Sequence, residues 1–454
     1  MRQKLHRQTS FAPCLVDHEH ARELDVMSEV LDAHPKLLAL VFRDLPRGKV
    51  RPKTGRPAMS AEQVLRAAII KQTHGFSYQE LAFHLADSAS FRRFCRIEPF
   101  ADAPKKSALQ LNIKRVTERT WEAIHQALVA HAMNDRVEDG KKVRFDCTVT
   151  ETNIHEPSDE ALLWDVVRVL TRLMSSAKEE FGLRFSDRTR RAKRRTNGVR
   201  NAKNAKVRKW QYKDLIAATE DTASQARRVA SELKLVPVAS MLQLAKAQGL
   251  RAEITRFLGL GERVVSQTRR RVLGGEKVPV AEKIVSIFEP HTDIIVKDRR
   301  DTYYGHKLCL ATGKSGLVLD VVVLDGNPAD STLTTLMVER QEGLYGRPPR
   351  QVAFDGGFAS RANLEDLKDT GVVDVCFSKS RGIAVTEMVK SNWVYRKLRN
   401  FRAGVEAGIS FLKRCFGLTR CTWRSLESFG AYVWASVVAA NLLTLARHRL
   451  AAPG

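Results

Sequence analysis

The chain has 454 residues, with 76 Lys plus Arg against 51 Asp plus Glu, a formal charge of +25 and a sequence pI near 10.0. That length suits two or three domains with their own cores and excludes a minimal binding module; the charge points to a polyanionic partner, nucleic acid first. Seven cysteines (14, 95, 147, 309, 376, 415 and 421) are scattered and never form CxxC, which speaks against a disulfide frame or a zinc finger.

The N-terminal MRQKLHRQTSFAPCLVDHEH carries charge but no apolar h-region, so a cytoplasmic protein is expected. Residues 1–138 read as an all-helical domain. Ser60-Ala-Glu-Gln63 and Ser77-Tyr-Gln-Glu80 have capping-box form, in which the Ser accepts from the third residue's amide and the Glu or Gln reaches back. With His74-Gly75-Phe76 between them they predict a helix, a turn and a helix over 60–86, followed by basic SFRRFCRI; such a pair is either a DNA-reading helix-turn-helix or an ordinary helical hairpin. A further helix is expected over 107–133.

At 142–154 the rhythm changes. Val143, Phe145, Cys147 and Val149 alternate with Arg144, Asp146, Thr148 and Thr150, which predicts a strand with Asp146 on the face opposite the apolar row. Residues 158–290 are helical again and basic. Within 184–213 stand thirteen Lys or Arg and one acid, Asp187; even a solvated loop of this kind binds phosphate backbones through counterion release. Strands return at 293–298, 305–311 and 317–324. Then come a helix over 331–344, a strand at 351–354, a helix over 360–367, a strand at 372–377 and a basic helix over 393–415. The order describes a mixed α/β sheet interrupted after its first strand by a helical insertion. The uncharged stretch 428–446 is long enough for a membrane, but its Ser436, Asn441 and Thr444 favour a buried helix, and no membrane partner is expected.

Three carboxylates stand out. Asp146 lies on the first strand, and Asp355 ends the apolar strand Gln351–Phe354, where parallel strands present their ligand sites. The pair Gly356-Gly357 after it is read as leaving room for a metal and backbone. Glu406 is the only acid between Val389 and Glu427. At 100° per residue Arg399 and Lys413 each fall within about 20° of Glu406, with Arg402 about 40° from it. Three carboxylates gathered at a sheet edge repel unless divalent cations neutralise them, and oxygen ligands suit Mg²⁺ or Mn²⁺. With cations beside them to hold phosphates, they would make a two-metal phosphodiester centre.

At these residues the chain resembles the bacterial insertion-sequence DDE transposases. Asp146-Cys-Thr148 is similar to the family's first-strand Asp-x-Thr, Tyr304-Gly-His-Lys307 to its hairpin Tyr-Gly-x-Lys, and Gly326-Asn-Pro-Ala-Asp330 to the segment opening its crossover helix. Phe354-Asp355-Gly-Gly-Phe358 resembles its second-Asp motif, and Arg402-x3-Glu406-x6-Lys413 the signature around its Glu. Where that signature often has Tyr, this chain has Arg399. The resemblance implies an RNase H-like catalytic domain formed by 139–157 and 291–424, split by the insertion 158–290, preceded by a DNA-binding helical domain at 1–138 and followed by a buried helix at 425–454.

It also implies Asp146, Asp355 and Glu406 as catalytic ligands of two Mg²⁺ or Mn²⁺ ions. Phosphate contacts are expected from Lys307, Arg399, Arg402 and Lys413, and from Arg190, Arg191, Lys193, Arg194 and Arg195 of the insertion. Asn327 and Asp330 are expected to make a turn and a helix cap. The implied activity is cleavage at terminal inverted repeats of double-stranded DNA and strand transfer into target DNA, by a homodimer at the nucleoid. A nuclease that stops at hydrolysis, and a non-catalytic DNA-binding protein derived from a dead element, remain as alternatives.

Overall fold

The computed structural model of the protein describes residues 17–45, 58–237, 239–297 and 301–452. Residues 1–16, Cys14 among them, and Asp298 at the end of an expected strand lie outside the described residues. The chain divides into two compact units, 1–151 with 306–454, and 152–305.

Among the described residues the first unit opens with seven helices: α1 (Glu19–Asp32), α2 (Lys36–Asp44), α3 (Ala61–His74), α4 (Tyr78–Asp87), α5 (Ala89–Phe94), α6 (Lys106–Ile113) and α7 (Glu118–Asn134). Both expected capping boxes form, Ser60 with Gln63 and Ser77 with Glu80. The single helix expected over 107–133 is instead two, α6 and α7. Thr117 starts a new helix because its hydroxyl accepts from the Thr120 amide, while Asp44 Oδ2 takes both the Thr117 amide and hydroxyl.

Strand β1 (Lys142–Glu151) follows and is shorter than the expected 142–154. The second unit then begins with α8 (Asp159–Phe181), α9 (Thr189–Arg200), α10 (Ala205–Glu232) and α11 (Met241–Thr268). These four pack on one another around their own core, which includes Leu163, Leu170, Leu215 and Ile254. Strand β2 (Asp293–Lys297) pairs antiparallel with the first residues of β3 (Asp301–Gly313), which makes β3 longer than expected.

Back in the first unit, the later residues of β3 pair antiparallel with β4 (Val318–Val323). Helix α12 (Thr334–Tyr345) crosses to β5 (Gln351–Phe354), and α13 (Arg361–Asp369) leads to β6 (Asp374–Phe377). The short α14 (Val385–Met388) precedes α15 (Asn392–Cys415), and α16 (Leu426–Ala451) ends the described chain. Among the described residues the strands form one mixed six-stranded sheet in the order β2-β3-β1-β5-β6, with β4 on β3. β1 and β5 run parallel, as do β5 and β6.

Helix α16 is long and apolar enough to cross a membrane, yet 94% of its most apolar window is buried inside the protein. It packs on α1, α3 and α7 and reaches β4. Its polar residues are used inside the core: Ser436 accepts from Gln72, and the Asn441 amide pairs with both the N–H and the C=O of Val318 on β4. Those are the groups an isolated strand would leave unpaired.

Candidate active site

The register of β1 against β5 builds the centre. Arg144 lies opposite Ala353, so two residues further along each strand Asp146 comes level with Asp355. Phe145 and Phe354, the residues just before them, are fully buried and stack at 4.6 Å between centroids, with 11° between the rings. Period-two alternation then turns the next side chain on each strand to the other face. Helix α15 packs along β1, β5 and β6 and supplies Arg402 and Glu406.

One guanidinium joins all three carboxylates. Arg402 Nη2 stands 2.9 Å from Asp146 Oδ2 and 3.5 Å from Asp355 Oδ1, and Nη1 stands 2.9 Å from Glu406 Oε1. The side chains of Arg402 and Asp146 are only 15% and 14% exposed, Asp355 is 41% exposed and Glu406 69%. Arg402 Nε is buried and has no hydrogen-bond partner. Among the described residues no group of three His, Cys, Asp or Glu side chains is tight enough to hold a metal ion as they stand. The donor set nonetheless fits a hard cation: the oxygens of three carboxylates reach one positively charged group, and a cation in its place would meet the same donors.

Asp355 has further support. Burial raises its pKa, but a hydrogen bond from the Ser378 hydroxyl at 2.7 Å, the Gly356 amide and the charges of Arg402 and Lys379 outweigh that, so its carboxyl sits below the ordinary range. The space expected beside Gly356 and Gly357 is filled. A β-carbon at Gly356 would come within 2.7 Å of Lys379 Cβ, and one at Gly357 within 2.7 Å of Asp330 Oδ2, so the glycines admit side chains of this protein.

Residues 289–442 match the family described as Transposase DDE domain, and residues 14–115 the family described as Transposase domain (DUF772). Together the matched spans cover more than half of the chain. The chain is a DDE transposase. No curated protein and no solved structure matches it. The transposase catalyses DNA transposition, and its family binds DNA and uses divalent metal ions. The DDE match contains Asp355 and Glu406 but starts after Asp146, which the helical block separates from it.

The other expected contact residues are placed unevenly in the transposase. Arg399 is exposed on α15, and Lys413 is partly exposed two turns beyond Glu406. Lys307 is spent inside the fold: only 8% exposed, its Nζ lies 2.6 Å from both the Pro328 carbonyl and Asp330 Oδ1. Asp330 therefore holds Lys307 and does not cap a helix; the short 3-10 turn there has Ala329 at its N-cap and no side-chain cap. Sequence reasoning missed Ser378 and the exposed Lys379. Their signal was available, since they follow β6 directly and β6 is the parallel neighbour of β5.

In the second unit, α10 brings acids to the basic run. Asp214 pairs with Arg191 and Arg195, Asp221 with Arg188, and Glu160 of α8 with Arg200. Arg195 also lies over the Trp210 ring, 4.5 Å from its centroid. Arg190, Lys193 and Arg194 remain exposed on α9, as do Lys206, Arg208 and Lys213 on α10. The N-terminal helices do the same with SFRRFCRI. Arg92 donates to four backbone carbonyls, Arg93 pairs with Asp25, and Arg96 pairs with Asp32 and Glu62. The exposed positions of α4 are Gln79, Glu80, Phe83, Ala86 and Asp87, a face without Lys or Arg for a groove.

Proposed function

We propose that Asp146, Asp355 and Glu406 form the catalytic centre of an RNase H-like domain whose two sequence segments, 139–157 and 291–424, are split by the insertion 158–290. The parallel pairing of β1 with β5 across that interval supports the split, and the mixed sheet with helices after β4 and β5 supports the fold. The contact of one guanidinium with all three carboxylates carries the site assignment. Two Mg²⁺ or Mn²⁺ ions held there would activate the attacking oxygen and stabilise the leaving oxygen.

The chain's own groups do the rest. The sheet fixes Asp146 and Asp355 at one level, and Ser378 holds Asp355 ionised and oriented. Arg402, together with Lys379, Arg399 and Lys413, holds the reacting phosphate in line. The outer cations of α9 and α10, Arg190, Lys193 and Arg194 first, grip the DNA backbone without reading bases. Arg191 and Arg195 serve mainly as struts to Asp214.

The substrate is double-stranded DNA carrying the element's terminal inverted repeats. Hydrolysis at each end frees a 3′-OH that attacks target DNA, within a homodimer assembled on the two ends. In Mg²⁺, Asp146→Asn, Asp355→Asn and Glu406→Gln should each lower nicking of a plasmid bearing the gene and its native flanks by at least about 10²-fold, with DNA affinity retained. A variant that nicks at the parent rate removes its residue from the centre.

A further inference from the structure

Arg144 lies two residues before Asp146 on β1, so strand alternation gives both the same face. Its Nε donates to Thr312 Oγ1 on β3 at 2.9 Å, and its Nη1 donates to the main-chain carbonyl of Phe401 on α15 at 2.7 Å. The guanidinium also lies 4.7 Å from the centroid of the Phe401 ring. Phe401 directly precedes Arg402 and stands five residues before Glu406. A β-carbon at Gly404 would overlap Arg144 Nη1, so the helix meets the guanidinium at a position where it has no side chain. A single side chain thus ties β3, β1 and the catalytic turn of α15 together.

We infer that Arg144 is a positioning residue: it seats α15 through the Phe401 carbonyl, with Gly404 as the notch that admits it, and so sets how far Arg402 and Glu406 stand from Asp146. The inference rests on the proposed role of the three carboxylates. A guanidinium pinned to β3 and to the helix backbone cannot yield to an added methyl group as a free arginine tip would, so the helix must shift. A misplacement of about 1 Å at a reacting centre costs on the order of 10²-fold in rate.

The test measures Mn²⁺ binding to the DNA-free protein by electron paramagnetic resonance, and Mg²⁺-dependent nicking of the plasmid with native flanks. Gly404→Ala and Arg144→Ala should each weaken both by about tenfold or more while circular dichroism stays that of the parent. The double variant should be no worse than the poorer single within about twofold, because without the guanidinium the methyl group has space. Arg144→Lys, able to satisfy only one of the two acceptors, should fall between parent and Arg144→Ala. If Arg144→Ala does not fold, Gly404→Ala and Arg144→Lys still decide. Parent-like Mn²⁺ binding and nicking by Gly404→Ala, or penalties that multiply in the double variant, would overturn the inference. Asp146→Asn run alongside separates the two failures: if it too matches the parent, the carboxylate assignment is wrong, and if it alone fails, only the role of Arg144 is.

Discussion

Replacing Arg402 by Ala tests what neutralises the three carboxylates in the absence of metal. Its bond to Asp146 is the costly one to lose, since both side chains are about 15% exposed. Breaking a fully buried pair costs about 3–5 kcal/mol. Here Asp146 Oδ1 keeps its bond from the Cys147 amide, which lowers the figure to about 2–3 kcal/mol. The 3.5 Å contact to the 41% exposed Asp355 and the i,i+4 contact to the largely exposed Glu406 add at most about 1 kcal/mol together after solvent screening. In EDTA the variant should therefore lose about 3 kcal/mol of local stability, roughly a hundredfold faster amide exchange in peptides from β1 and α15. Divalent cation should restore most of it, because an ion at one hundred times its dissociation constant contributes about 2.7 kcal/mol. Hydrogen exchange read by mass spectrometry, with EDTA and with saturating Mg²⁺, gives the four values needed. Equal exchange of parent and variant in EDTA, or a variant deficit that Mg²⁺ leaves untouched, would mean that Arg402 does not stand in for a cation among the carboxylates.

Three further outcomes are expected. Converting Arg190, Lys193, Arg194, Lys206, Arg208 and Lys213 to Gln should flatten the log-log salt dependence of DNA binding by up to about five units, whereas Arg191→Gln with Arg195→Gln should mainly lower thermal stability by freeing Asp214. Asn441→Leu should destabilise the first unit by about 1–3 kcal/mol in urea titrations, since the Val318 amide loses its partner while the Val318 carbonyl keeps the bond from His125. Because the Asp355 carboxyl lies below the ordinary carboxylate range in the folded protein, its contribution should be complete above that range and vanish as pH falls through the lowered value. Urea midpoints of parent and Asp355→Asn should then stay apart down to about pH 4 and converge as acidification continues below it.

What could be read from the sequence was what local rules encode. Alternation around Phe145 marked β1, the paired Ser-x-x-Gln and Ser-x-x-Glu marked α3 and α4, and helical spacing put Arg402 beside Glu406. What local rules do not encode was lost. Asp214 is nineteen positions from Arg195, so the run looked like free charge until α10 folded back to pair with it. Lys307 looked like a phosphate contact until Asp330 and the Pro328 carbonyl enclosed it. Gly356 and Gly357 read as room for a metal, but side chains of Lys379 and Asp330, distant in sequence, fill that space. Arg144 gave no sign at all, since its partner is a main-chain carbonyl 257 residues away.

One centre is proposed both to cut and to join DNA, and joining can be isolated. Duplex oligonucleotides ending at the element's own terminal repeat with a free 3′-OH, mixed with supercoiled target plasmid, Mg²⁺ and the purified protein, bypass the first hydrolysis. Covalent joining of that 3′-OH to target DNA, mapped by sequencing the junctions, is expected, and it should be lost with EDTA and lost in Asp146→Asn although this variant still binds the ends. Joining that persists in Asp146→Asn, or cleavage of uncut ends by the parent without any joining of the pre-cut ones, would contradict the proposal.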